Sequence, residues 1–150
     1  MTAYLYKQLN NISIYLINGV TYDTLDGENY VSFRDLEGLH DSICLYLVTH
    51  KSPLSSAAFK FIRNTLDYTQ KYLGELLGVS GQTIARYEKG TSPISMTIDK
   101  FLRRLYLEKT CLKENRIDIV KSNYKLDYKS LHFKYDHEKW VLWAIDSLEK

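Results

Sequence analysis

Thr69 to Gly90 reads TQKYLGELLGVSGQTIARYEKG, and the rest of the chain is best understood outward from it. Thr69 stands where a helix N-cap belongs, and Leu73, Leu76 and Leu77 follow as the apolar face of one helix. Gly78 supplies the left-handed conformation that ends that helix, and Gly78-Val79 makes a tight turn. Ser80 caps a second short helix carrying Ile84 and Tyr87, which Lys89-Gly90 closes. Helix, short glycine turn and a second helix at a steep angle is the plan of a helix-turn-helix. Gly74 is small where the second helix must approach the first, and Leu73, Val79 and Ile84 are expected to point inward and hold the two together. Polar residues remain for the outer face of the second helix: Gln82, Thr83, Arg86 and Lys89, beside Gly81. Those chemistries suit base edges and phosphates in a major groove.

The flanks extend the helical region. Ala58, Phe59, Ile62 and Leu66 mark an amphipathic helix before it. Ile98, Phe101, Leu102, Leu105 and Tyr106 define another after the Ser92-Pro93 loop. Residues 51–109 therefore read as a four-helix unit, entered through a short linker, Lys51-Ser52-Pro53. Residues 1–50 read as an antiparallel meander followed by one helix. Asn18-Gly19 between Ile12–Ile17 and Val20–Leu25, and Asp26-Gly27 before Tyr30–Phe33, are hairpin dipeptides, because a type I′ turn needs positive φ at both central residues. Tyr4–Lys7 is a further candidate strand. Ser32 is the expected cap of a helix whose apolar face is Leu36, Leu39, Ile43 and Leu47. In residues 110–150, Leu112–Lys121 has helical character. Leu131, Phe133 and Tyr135 alternate, as do Trp140, Leu142 and Ala144 across Asp136-His137-Glu138, so a terminal hairpin is expected, to extend the first sheet or to pair with a second copy. The expected fold class is α+β.

Composition bounds the function. One hundred and fifty residues, 45% hydrophobic and 25% charged, make an ordinary globular chain. No signal peptide or membrane-length apolar run is visible, so a soluble cytoplasmic protein is expected. Net charge is only +2, but it is unevenly spread. Residues 1–50 hold two basic and six acidic side chains, residues 51–109 ten and five, and residues 110–150 eight and seven. A basic middle behind an acidic start favours nucleic acid as partner. Cys44 and Cys111 are too few for a disulfide framework or a four-cysteine zinc site. His40, His50, His132 and His137 lie in no metal-binding spacing, and no phosphate loop, nucleophile triad or carboxylate pair is evident, so no cofactor, metal or catalysis is expected.

The same residues carry a resemblance. Gln70 after the cap, the Leu77-Gly78-Val79-Ser80 turn and the Tyr87-Glu88-Lys89-Gly90 close together resemble the Xre, or lambda-repressor-like, helix-turn-helix family. With Asn18-Gly19, Val31-Ser32 and Asp35-Leu36-Glu37-Gly38-Leu39-His40, residues 4–107 resemble bacterial regulators grouped with MqsA-type antitoxins, without the cysteine pairs of their zinc module. The resemblance implies DNA binding by Thr69, Gln70, Lys71, Ser80, Gln82, Thr83, Arg86 and Lys89. In it Gln70 meets a phosphate, Gln82 reads a base, and Arg63 and Glu88 form a structural pair between helices. Lys60, Lys71 and Lys89 are candidate phosphate partners. The function so implied is that of a transcriptional regulator, expected as a homodimer on a palindrome with contacts from the acidic N-terminal region or the terminal strands. An antitoxin that also binds a toxin is the first alternative, and an interaction module that does not touch DNA the second.

Overall fold

The computed structural model describes residues 3–110 and 128–147. The chain runs through β1 (Tyr4–Leu9), β2 (Ile12–Leu16), β3 (Val20–Leu25), β4 (Glu28–Phe33), α1 (Leu36–Thr49), α2 (Ser56–Leu66), α3 (Gln70–Leu77), α4 (Gly81–Lys89), α5 (Met96–Thr110), β5 (Tyr128–Asp136) and β6 (Lys139–Ser147). It is a mixed α+β fold. The helical character read for Leu112–Lys121 lies outside the described residues.

The strands do not form the expected meander. A four-stranded sheet has the order β1-β2-β5-β6, and β3 with β4 makes a separate two-stranded ribbon. Strand β2 pairs in parallel with β5, Ser13 to Leu16 against Ser130 to Phe133, and does not pair with β3. Asn18-Gly19 is therefore not a hairpin turn. The Asn18 side chain continues the pairing with β5 instead: its amide donates to the carbonyl of Tyr135 (3.1 Å) and its oxygen accepts from the Tyr135 amide (2.6 Å). Gly19 then passes under Trp140, where a Cβ would lie 2.6 Å from the indole. The actual two-residue turns are Asn10-Asn11, Asp26-Gly27 and His137-Glu138, each with both φ values positive. The terminal hairpin closes at the expected place and extends the first sheet.

The pleat explains the burial. Ile12, Ile14 and Leu16 alternate onto one face, where Leu131, Phe133 and Trp140 join them in a single core with Leu39, Ile43 and Leu47 of α1. Tyr46 of α1 packs edge-on to Phe133 at 5.8 Å between ring centroids. The α1 cap is Asp35 rather than Ser32, which pairs with Thr21 inside the ribbon. Asp35 takes φ 40°, and its carboxylate accepts from the Gly38 amide at 3.1 Å. Trp140 Nε1 donates to the carbonyls of Arg34 (2.8 Å) and Asp35 (3.1 Å), so β6 holds the entry to α1.

One contact seats the helical region on the sheet, and a second ties its linker to α5. Asn10 in the β1–β2 turn and Ser55, the N-cap of α2, bond reciprocally: the Asn10 side-chain oxygen accepts from the Ser55 amide, and Ser55 Oγ accepts from the Asn10 amide. Arg103 on α5 donates to the carbonyls of His50 and Ser52 and pairs with Asp99 (2.7 Å), while Asp99 accepts from the Leu54 amide (2.7 Å). The linker is thus tied to α5 rather than loose.

His40 lies at the seam between α1, β1 and α2. Its Nε2 is 2.6 Å from the Tyr6 hydroxyl, and its ring meets Phe61 edge-on at 4.8 Å. Burial, and then the positive charge of Lys7, hold the His40 pKa below its ordinary 6.5. The unfolded chain therefore takes up this proton first as the pH falls below 6.5. The stabilisation is complete above that value and declines as the pH falls through the interval down to the lowered folded value. Urea unfolding is expected to show that decline between neutral and mildly acidic pH, and His40→Gln to remove that part of the slope. Identical slopes in both proteins would refute it.

Candidate nucleic-acid interface

Helices α3 and α4 are built from their ends. Thr69 Oγ1 accepts from the Tyr72 amide (3.0 Å), and Ser80 Oγ from the Thr83 amide (3.1 Å), so each hydroxyl satisfies an amide that the first helical turn leaves without a partner. Gly78 takes φ 76° at the end of α3, and Gly90 takes φ 77° at the end of α4. The Val79 amide turns back to the Gly74 carbonyl at 2.9 Å, fixing the angle of the turn.

The two helices meet backbone to backbone. A Cβ on Gly74 would lie 2.5 Å from the carbonyl oxygen of Val79, and one on Gly81 3.2 Å from Cα of Lys71. Gly81 is therefore more than an easy helix start: it lets the beginning of α4 rest on the first turn of α3. Leu73 and Ile84 are fully buried between the helices, Tyr87 is buried against Phe59, and Val79 packs on the same core. Leu76, read as part of the apolar face of α3, is exposed, as is Phe101 on α5.

Behind α4 lies a charged network. Glu88 receives Arg63 through two hydrogen bonds, from Nε (2.5 Å) and from a terminal guanidinium nitrogen (2.9 Å). Its side chain is 3% exposed. The other guanidinium nitrogen donates to the Tyr68 carbonyl at 2.9 Å. The side-chain amide of Gln70 also donates to Glu88, at 3.0 Å. Arg63 and Glu88 thus form the expected pair between α2 and α4. Gln70 adds a use that its place in the sequence does not reveal, because its partner is 18 residues away. One N–H of the Gln70 amide is engaged inside the fold, and the amide nitrogen carries a second.

The other candidate residues divide by position. Gln82, Arg86 and Lys89 are exposed, and their i, i+4, i+7 spacing lays them along one stripe of α4 opposite the buried Ile84 and Tyr87. Thr83 is half-buried, with its hydroxyl 3.0 Å from that of Ser80. Thr69, Lys71 and Ser80 are exposed at the two helix starts, and Lys60 is exposed on α2. Tyr72 is an exposed aromatic beside Lys71 that the helical pattern does not single out. Its ring packs edge-on to Tyr68 at 4.9 Å, and Lys109 covers Tyr68 at 4.5 Å.

Among the described residues, no group of three or more histidine, cysteine or carboxylate side chains could hold a metal ion, and no helix is long and apolar enough to cross a membrane. Neither the curated proteins nor the solved structures compared with the chain gave a match. Residues 59–98, from within α2 to the start of α5, match the family described as Helix-turn-helix.

Proposed function

We propose that the chain is a sequence-specific DNA-binding transcriptional regulator that presents α4 to the major groove. The observation that carries this is the polar stripe of Gln82, Arg86 and Lys89 on a helix whose other side is locked by Ile84, Tyr87 and Glu88. A rigid, outward-facing donor set is what base readout requires. Gln82, near the start of α4, is the first choice for reading a base, by a bidentate amide contact to adenine. Arg86, one turn on, reaches guanine or the backbone, and Thr83 a thymine methyl or a phosphate. Thr69, Gln70 through its second amide N–H, Lys71, Ser80, Lys89 and the backbone amides at the start of α3 position the module on phosphates. The surplus of basic residues over 51–109 agrees with that surface. Helix α4 is nine residues, roughly 13 Å long, and spans only a few base pairs. A homodimer on a two-fold operator, with recognition helices about 34 Å apart, supplies the rest of the site.

A gel shift against the gene's own upstream region tests the proposal. Gln82→Ala is expected to cost about 1–3 kcal/mol on the best site and little on random DNA. Equal weakening on every sequence would remove Gln82 from the readout. Lys89→Ala is expected to weaken binding on all sequences and to reduce the slope of log affinity against log salt by about one. An unchanged slope would mean that Lys89 touches no phosphate. No shift on any duplex would defeat the proposal as a whole.

A further inference from the structure

The β3–β4 ribbon has an unusual surface. Among the described residues its strands pair only with each other, and most of its side chains are exposed. Such an edge is ordinarily protected by lysine or proline. Here the ribbon carries Asp23, Asp26 and Glu28 and no basic residue. The pairing Asp23 to Tyr30 and Leu25 to Glu28 places those four side chains on one face of the pleat. Leu25 is 62% exposed and Tyr30 46%. On that face each carboxylate lies opposite an apolar side chain, Asp23 across from Tyr30 and Glu28 across from Leu25.

A surface of the opposite character runs along α5. Thr97, Lys100, Phe101, Arg104, Leu105 and Glu108 form one solvent-open stripe of that helix, with a shallow space of ≈ 470 Å³ among their side chains. Phe101 is 55% exposed at its centre, with Lys100 and Arg104 beside it. The bond between Arg104 and Glu108 (3.1 Å) is open to solvent on both sides, so it stabilises little and Arg104 can change partner at small cost.

We propose that the acidic face of the β3–β4 ribbon of one copy docks on the Phe101-centred stripe of α5, with its Lys100 and Arg104, on a second copy. Charge selects this contact over ribbon-to-ribbon pairing, which would bring two sets of three carboxylates together. In a two-fold dimer the contact is made twice, which helps a small ribbon approach the roughly 800 Å² per partner of a stable interface. The inference builds on the dimeric regulator proposed above and names its interface.

Sedimentation equilibrium of the full chain without DNA is the test. A monomer–dimer equilibrium that weakens with added salt is expected. Arg104→Glu and Asp23→Lys are each expected to raise the dimer Kd about tenfold or more, and the two together to restore it to within about threefold of the original. Both sites are exposed, so far-UV circular dichroism should not change, and Tyr30→Ser gives a second, uncharged route to a weaker dimer. A chain that stays monomeric, a dimer that ignores both charge changes, or a double variant no better than the singles would each overturn the contact. Binding of the same proteins to a single half-site separates the two readings. A monomer that still binds DNA removes the interface and leaves the regulator. A dimer that responds to the charge changes but binds no DNA leaves the interface and removes the regulator.

Discussion

Glu88→Ala is expected to lower the unfolding free energy by about 3–5 kcal/mol, the cost of removing one partner of a buried ion pair. Arg63 and Glu88 are both largely withdrawn from water, with side-chain exposures of 11% and 3%. The alanine variant removes the carboxylate that receives two guanidinium bonds and one from Gln70. Arg63 cannot shed its charge, so it stays ionised in a poorly solvated site or pulls α2 away from α4 to reach water. Glu88→Gln keeps the volume but not the charge and is expected to recover only part of the loss. Replacing both residues, Arg63→Met with Glu88→Leu, should be far less costly than Glu88→Ala alone, because no charge is then left buried. Urea unfolding of the four proteins checks the set. A loss below about 1 kcal/mol for Glu88→Ala would place the pair among solvent-screened surface bridges.

Gly74→Val is expected to destabilise the chain by about 3 kcal/mol or more and to abolish DNA binding while the sheet stays folded. Helix propensity alone gives the opposite sign for a smaller change, since alanine is better than glycine in a helix interior by about 1 kcal/mol. Contact decides against propensity. The first added carbon would sit 2.5 Å from the Val79 carbonyl oxygen and 3.0 Å from the carbonyl carbon of Ser80. Those are backbone atoms of the turn, and they can retreat only by swinging α4 away from α3. Gly74→Ala is the milder form, with the propensity gain offsetting part of the clash. Gly78→Ala provides a contrast: its Cβ would meet nothing within 4 Å, and the cost is that of φ 76° for a side-chain-bearing residue, about 1–2 kcal/mol. Circular dichroism with a gel shift distinguishes them. Normal DNA binding by Gly74→Val would show that the turn yields more easily than its geometry allows.

Much of the helical segment is legible along the chain because its determinants are local. Thr69 and Ser80 cap the helices they begin, and Gly78 and Gly90 end them with positive φ. Each signal acts within a few residues of its own position, so order in the sequence is enough. Ile62, Leu66, Leu73, Ile84, Leu102 and Tyr106 are buried for the same reason: a helical period sends them to one face. Leu76 and Phe101 follow that period and yet are exposed, since the period marks a face and not what covers it. Asp35 rather than Ser32 begins α1, because Ser32 is already paired with Thr21 in the ribbon.

The order of residues was thus sufficient for the caps, the turn and the polar stripe of the helix-turn-helix, all of which depend on neighbours in the chain. Pairings over long separations were settled by packing. Asn18-Gly19 looks like a hairpin turn, but Asn18 bonds to Tyr135, 117 residues away, and β2 lies parallel to β5. Gln70 follows the cap of α3, and only the fold brings one N–H of its side-chain amide to Glu88, 18 residues on. At Asn18-Gly19 a local turn preference meets the gain from closing a buried sheet face, and the larger, non-local contribution prevails; at Gln70 the non-local partner is a buried charge that no neighbour in the chain announces.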